Sequence, residues 1–181
     1  MRATGGDSLV QRMIGAARLD VPTYEEVERD EGATPQAAIV VVLASLAAGI
    51  GALGNDDATA GFFSGLLSSL LGWVVGAALI FFIGTRLLAG SATSASFGQV
   101  ARTTGFANAA GLLAVFGFIP IVGPIIAIVG AIFVLIGTFI AIRSALDIST
   151  GRAIAVVIAY FIVALVIGFL LAAIFGVDLS I

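Results

Sequence analysis

The chain has 181 residues, 60% of them hydrophobic and only 10% charged, with a formal net charge of -3. Ordinary soluble domains carry roughly 25% charged residues, so this composition belongs to a chain made for lipid. Cysteine, histidine and lysine are all missing, which excludes disulfides, thiolate and imidazole chemistry, zinc ligation by Cys or His, and any Ser-His or Ser-Lys nucleophile.

The first 35 residues predict two short helices. Ser8-x-x-Gln11 reads as a capping box, and at 100° per residue Leu9, Val10, Met13, Ile14 and Ala17 share one face opposite Gln11, Gly15 and Arg18. Such a helix suits either an anionic membrane surface or the bundle's own end. Leu19 falls off that stripe. After Pro22, Thr23-x-x-Glu26 reads as a second capping box, with Tyr24 and Val27 on one face and Glu25, Glu28 and Arg29 around them. Residues 20 to 35 hold six of the eleven acidic residues. Carboxylates favour the positive end of a helix dipole and are repelled by anionic headgroups, so this segment is expected to stand clear of the bilayer or to pack on arginines. Its apolar contacts are then Tyr24 and Val27, and Tyr24, Glu25, Glu26 and Val27 are the candidate docking residues for a partner.

Thr34 and Pro35 predict the N-cap and first residue of span one, 36–53. The expected signal is this span itself, since no cleavable leader pattern precedes it. Span two is 62–88, long enough to tilt. Ser96-x-x-Gln99 predicts a short interfacial helix before span three, 104–118. The charge-free stretch 103–142 would make a helix of about 60 Å, twice the bilayer core, so it must turn back. Pro120 and Pro124 mark the place, with Gly123 expected to take the turn conformation. Span four is then 121–145 and span five 152–175. The fold class is all-α: a five-transmembrane-helix bundle over residues 36–177, preceded by a cytoplasmic helical segment over 1–35.

All eight basic residues are arginines on one side of this plan: Arg2, Arg12, Arg18 and Arg29 before span one, Arg86 and Arg102 between spans two and three, Arg143 and Arg152 between four and five. The positive-inside rule then places the N-terminus in the cytoplasm and the C-terminus outside. Arg86, Arg102, Arg143 and Arg152 are the expected topology-setting residues.

No ionisable residue lies at mid-span, as a proton relay or ion path would require. Ser64, Ser68, Gly72 and Gly76 recur every four residues in span two, a seam on which helices approach closely, either within the bundle or between copies. The same spacing recurs in span four at Gly123, Ala127 and Ala131 and at Gly137, Ala141 and Ala145, and in span five at Ala164, Gly168 and Ala172. Asn108 and Tyr160 read as interhelical hydrogen-bonding groups and Trp73 as packing. Asp56 and Asp57 are too few ligands for a calcium site. No catalytic residue, cofactor or metal site is expected, and nucleic acid is not an expected partner.

The stretches "RMIGAARLDVPTYEEVERDEGATPQAAIVVVLASLAAGIG", "FGQVARTTGFANAAGLLAVFGFIP" and "AIRSALDISTGRAIAVVI" together resemble the bacterial branch of the Yip1 family of membrane proteins. The resemblance runs from about Leu9 to about Phe175. Eukaryotic members associate with one another and with Rab GTPases; their Asp-Leu-Tyr-Gly-Pro signature is reduced here to Asp20 and Tyr24 of "DVPTY", so GTPase binding is not carried over. The resemblance implies a non-enzymatic scaffold or adaptor of a bacterial cytoplasmic membrane, organising lipids, other membrane proteins or further copies of itself. The alternative is a small-solute transporter or channel component built on the broken segment at Pro120 to Pro124. A cavity lined by Asn108, Thr138 or Tyr160 favours transport; a closed bundle favours the scaffold.

Overall fold

The computed structural model describes residues 7–52, 58–90 and 93–175, and every element among them is helical. Two short helices, α1 (Asp7–Ala17) and α2 (Val21–Arg29), precede α3 (Ala33–Gly51). Next come α4 (Ala58–Phe82), which widens into a π-helical turn at Ile83–Leu87, and α5 (Phe97–Ala107), which passes directly into a 3-10 segment, Asn108–Phe118. The chain ends with α6 (Val122–Leu146) and α7 (Thr150–Phe175).

Helix ends follow local chemistry, with some corrections. α1 starts at Asp7, one residue ahead of the expected Ser8 cap. It stops at Leu19, which takes a left-handed φ of 63° so that Asp20 N–H reaches Gly15 O and Leu19 N–H reaches Ala16 O. The N-cap of α2 is Asp20 rather than Thr23: its carboxylate accepts from Thr23 N–H at 3.2 Å and Thr23 Oγ1 at 2.6 Å. Pro22 lacks an N–H and is pre-set for the first helical turn, which draws the helix start ahead of Thr23. α3 likewise starts at Ala33, ahead of the expected Thr34 cap. The capping box at Ser96 and Gln99 forms as expected.

The hairpin falls at the two prolines, but Gly123 does not carry its turn. Ile121 does, with φ 67° and ψ -51°, and Val122 N–H bonds to Pro120 O at 2.8 Å, the γ-turn that is rare because it is strained. Gly123 is needed for space instead, since a Cβ there would sit 2.4 Å from Phe116 O. Gly51 meets the same segment from α3, where a Cβ would lie 1.9 Å from Ala114 O.

The 3-10 segment lies between α3 and α6 and makes its most extensive contacts with those two helices. Here the structure departs most from expectation. Eleven residues of 3-10 helix is far beyond the usual 3–4, and the stretch is rich in small residues (Ala109, Ala110, Gly111, Ala114, Gly117) that admit close neighbours. Among the described residues, four helices are long and apolar enough to cross a membrane: Ala33–Gly51, Gly65–Leu87, Val122–Leu146 and Thr150–Ile174. The expected third span is not among them, because its α-helix ends at Ala107.

Two buried clusters hold the assembly. One joins Ala16, Tyr24, Val27, Ala37, Val40 and Phe106 from the short helices, α3 and α5. The other joins Ala77, Ile80, Ile83, Val100, Leu146 and Val156 from α4, α5, α6 and α7. Beyond Val156, Ala172 is the one buried residue of α7 among those described, and no residue from 65 to 75 of α4 is buried. Both helices are therefore buried mainly toward the end where α1 and α2 sit and are largely exposed toward the other.

Candidate functional site

Two regions carry polar chemistry. The first is the headpiece formed by α1 and α2. Tyr24 and Val27, two of the four candidate docking residues, are fully buried and pack in the chain's own core. The Tyr24 hydroxyl donates to Ala16 O at 3.2 Å and lies 2.7 Å from where a Cβ on Gly137 would stand. Burial pushes its phenol pKa up. Glu25 and Glu26 remain exposed.

Two arginines lock α2 in place, and sequence reading assigned neither of them that role. Arg12, 8% exposed, donates from Nε and Nη2 to Glu26 Oε1 at 3.1 and 2.9 Å, from Nη2 to Asp30 Oδ2 at 2.6 Å, and from Nη1 to Gln36 Oε1 at 3.0 Å. Its burial opposes the charge, but the hydrogen bonds it donates to Asp30 and Glu26, with their negative charge, outweigh this and its pKa rises; the same contact holds the Asp30 carboxyl below its ordinary value. Arg102, 6% exposed, donates from Nε to Val27 O at 3.2 Å and from Nη2 to Glu28 O. These are two of the last carbonyls of α2, which have no partner within their own helix, and a cation also suits the negative end of the dipole. Arg102 is thus a buried cap for a neighbouring helix. Gln99, one turn away, donates to Glu28 Oε1 at 2.7 Å. Burial and the nearby Asp147 push the Glu28 carboxyl up, while Gln99, Arg29 and Arg102 pull the other way. The signal available in the sequence was the run of carboxylates itself: cations had to be found for it.

Arg86, Arg143 and Arg152 are exposed at the same end of the bundle. A shallow concavity of about 520 Å³ between α2 and the end of α6 is bordered by Glu25, Glu28, Arg29, Arg143 and Asp147.

The second region is a cavity of about 580 Å³ among α3, α4, α6 and α7, floored by the 3-10 segment. Ser45, Trp73, Asn108, Thr138 and Tyr160 line it, and no ionisable group other than the Tyr160 phenol does. Trp73 is fixed by its indole N–H, which donates to Ala101 O at 3.0 Å. Of the expected seam in α4, Gly76 packs, 3.1 Å from the Tyr160 hydroxyl by its missing Cβ; Gly72 has nothing within 4 Å, Ser68 is exposed, and the Ser64 side chain lies outside the described residues. In α6, by contrast, Gly137, Ala141 and Ala145 are all buried. Asp56 and Asp57 also lie outside the described residues.

Long apolar helices, charge gathered at one pole and an uncharged cavity between the spans define an integral membrane protein of the polytopic helical class. The chain belongs to the Yip1 domain family, whose sequence profile matches residues 20–173. Members of that family are membrane proteins that interact with other proteins and lipids and are generally non-enzymatic. Neither a curated protein nor a solved structure matches the chain.

Proposed function

We propose that the protein is a non-enzymatic scaffold or adaptor of a bacterial cytoplasmic membrane that crosses it five times, with the headpiece in the cytoplasm and the C-terminus outside. The third crossing would be α5 with the 3-10 segment. At about 1.5 and 2.0 Å per residue these reach roughly 16 and 22 Å, enough together for a core of about 30 Å. A cysteine replacing Ile121, 83% exposed at the hairpin, should label from outside, and one replacing the exposed Ser149 from inside. The opposite pattern would mean that this element does not cross.

The observation that carries the scaffold reading is the immobilised headpiece. Tyr24, Val27, Arg12 and Arg102 fix α2 against the bundle, so that Glu25, Arg29, Arg143 and Asp147 form a preordered polar surface, which binds a partner with less entropy lost on docking. Tyr24 and Val27 support that surface from beneath, Glu25 faces the partner, and Glu26, though held by Arg12, adds an exposed carboxylate beside it. Because the two apolar residues belong to the core, deleting the segment would damage the bundle as well. Charge reversal is the cleaner test: Glu25→Arg with Asp147→Arg should lose partners recovered with the intact chain in mild detergent, whereas Arg18→Ala should keep them. Equal recovery from all three would overturn the docking role.

The transport alternative now rests on the cavity, since Asn108, Thr138 and Tyr160 all line it, and not on the prolines, which lie at the turn outside it. Uptake of an uncharged solute into vesicles containing the purified protein, abolished by filling the cavity at Gly72, would favour that reading over the scaffold.

A further inference from the structure

The cavity between the spans has a hydrogen-bonding pattern of its own. Ser45, Thr104 and Thr138 turn their hydroxyl protons back onto their own helices, donating to Val41 O at 2.8 Å, Val100 O at 2.6 Å and Val134 O at 2.8 Å. Toward the cavity they present lone pairs only. Asn108 uses one amide hydrogen on Thr104 O at 2.9 Å, which leaves its Oδ1 and one N–H. The Tyr160 hydroxyl has no hydrogen-bond partner among the described residues, although it lines the cavity. The lining is therefore rich in acceptors, with the Asn108 N–H and the Tyr160 and Ser69 hydroxyls as donors set on an apolar wall.

Depth restricts the occupant further. Tyr160 is ten residues into α7, which places it about 15 Å from the start of that helix, half the hydrocarbon thickness. No charged side chain awaits a ligand there, so a charged headgroup would be desolvated without a counter-ion. A volume of about 580 Å³ takes a small head and the first part of its chains. The remainder can leave sideways past the exposed stretches of α4 and α7.

We propose that this cavity is a binding site for an uncharged, hydroxyl-bearing ester lipid of the diacylglycerol kind, drawn from the surrounding bilayer. Its hydroxyl donates to Asn108 Oδ1, and an ester carbonyl accepts from the Tyr160 hydroxyl. A quinone, which has no proton to donate, or a phospholipid, which carries charge, matches the lining less well.

Trp73 is the chain's single tryptophan and lines the cavity, so it reports occupancy directly. The full chain is reconstituted into phosphatidylcholine nanodiscs, and a diacylglycerol brominated on its acyl chain near the glycerol is titrated in. Saturable quenching of Trp73 is expected, exceeding that by an equally brominated phosphatidylcholine at the same mole fraction. Tyr160→Phe should weaken the apparent affinity about fivefold, the worth of one hydrogen bond of about 1 kcal/mol. Gly72→Leu, which grows from a position with nothing within 4 Å, should abolish saturation without lowering the unfolding temperature. Quenching that rises linearly and equally for both lipids overturns the proposal. So does equal displacement by phosphatidic acid of the same chains, or saturation unchanged in both variants.

Discussion

Replacing Arg12 by alanine tests what holds the headpiece. The guanidinium makes three hydrogen bonds to carboxylates and one to Gln36, linking α1 to both α2 and α3. One hydrogen bond to a charged group contributes about 1.5–3 kcal/mol, and breaking a fully buried pair costs about 3–5 kcal/mol. The side chains of Glu26 and Asp30 are 62% and 43% exposed, however, so water can solvate both once Arg12 is gone. The loss should therefore come to about 2 kcal/mol. Hydrogen exchange of the α2 amides in detergent measures it, because local opening exposes them, and about 2 kcal/mol corresponds to about 30-fold faster exchange. Arg18→Ala, at an exposed position, should leave the rate unchanged. Acceleration below about threefold in Arg12→Ala would show that Tyr24 and Val27 hold α2 without the ion pairs.

Arg102→Met removes the donors to two α2 carbonyls at a buried position and should cost about 3 kcal/mol, seen as a lower unfolding temperature. Lysine should restore only part of it, because one ammonium cannot reproduce the two-pronged guanidinium. Glu28 has its folded pKa raised above the ordinary 4.5, so the folded state holds the extra proton and stability should fall as pH rises from 4.5 through the raised value. Glu28→Gln keeps an acceptor for Gln99 and should flatten that part of the stability profile, read from unfolding midpoints between pH 4 and 8. Gly51→Ala puts a methyl group against the backbone of the 3-10 segment and should destabilise by several kcal/mol, whereas Gly72→Ala should be neutral; unfolding of the two proteins side by side checks the contrast.

Hydrophobic runs, prolines and arginines made the membrane class legible from the sequence. Uninterrupted apolar stretches have one low-energy solution in lipid, and α3, α6 and α7 begin and end within three residues of the expected spans. The hairpin at Pro120 and the capping box at Ser96 were legible because local backbone chemistry decides them. The cap at Asp20 was missed for a local reason too, the preference of Pro22 for the first turn.

What only the tertiary structure decided is which surfaces meet. Small residues in α4 and in α6 look alike in sequence, yet Gly137, Ala141 and Ala145 are buried while Ser68 is exposed and Gly72 opens onto the cavity with nothing within 4 Å of it. The difference lies in which faces of α4 and α6 the other helices cover, a matter of long-range packing that no spacing rule contains. Arg12 and Arg102 look like surface cations in sequence and are interior locks in the fold, because only the docked headpiece brings Glu26, Asp30 and the end of α2 within reach of them. The six carboxylates at residues 20 to 35 announced that charge would have to be matched; the packing of α2 chose the partners.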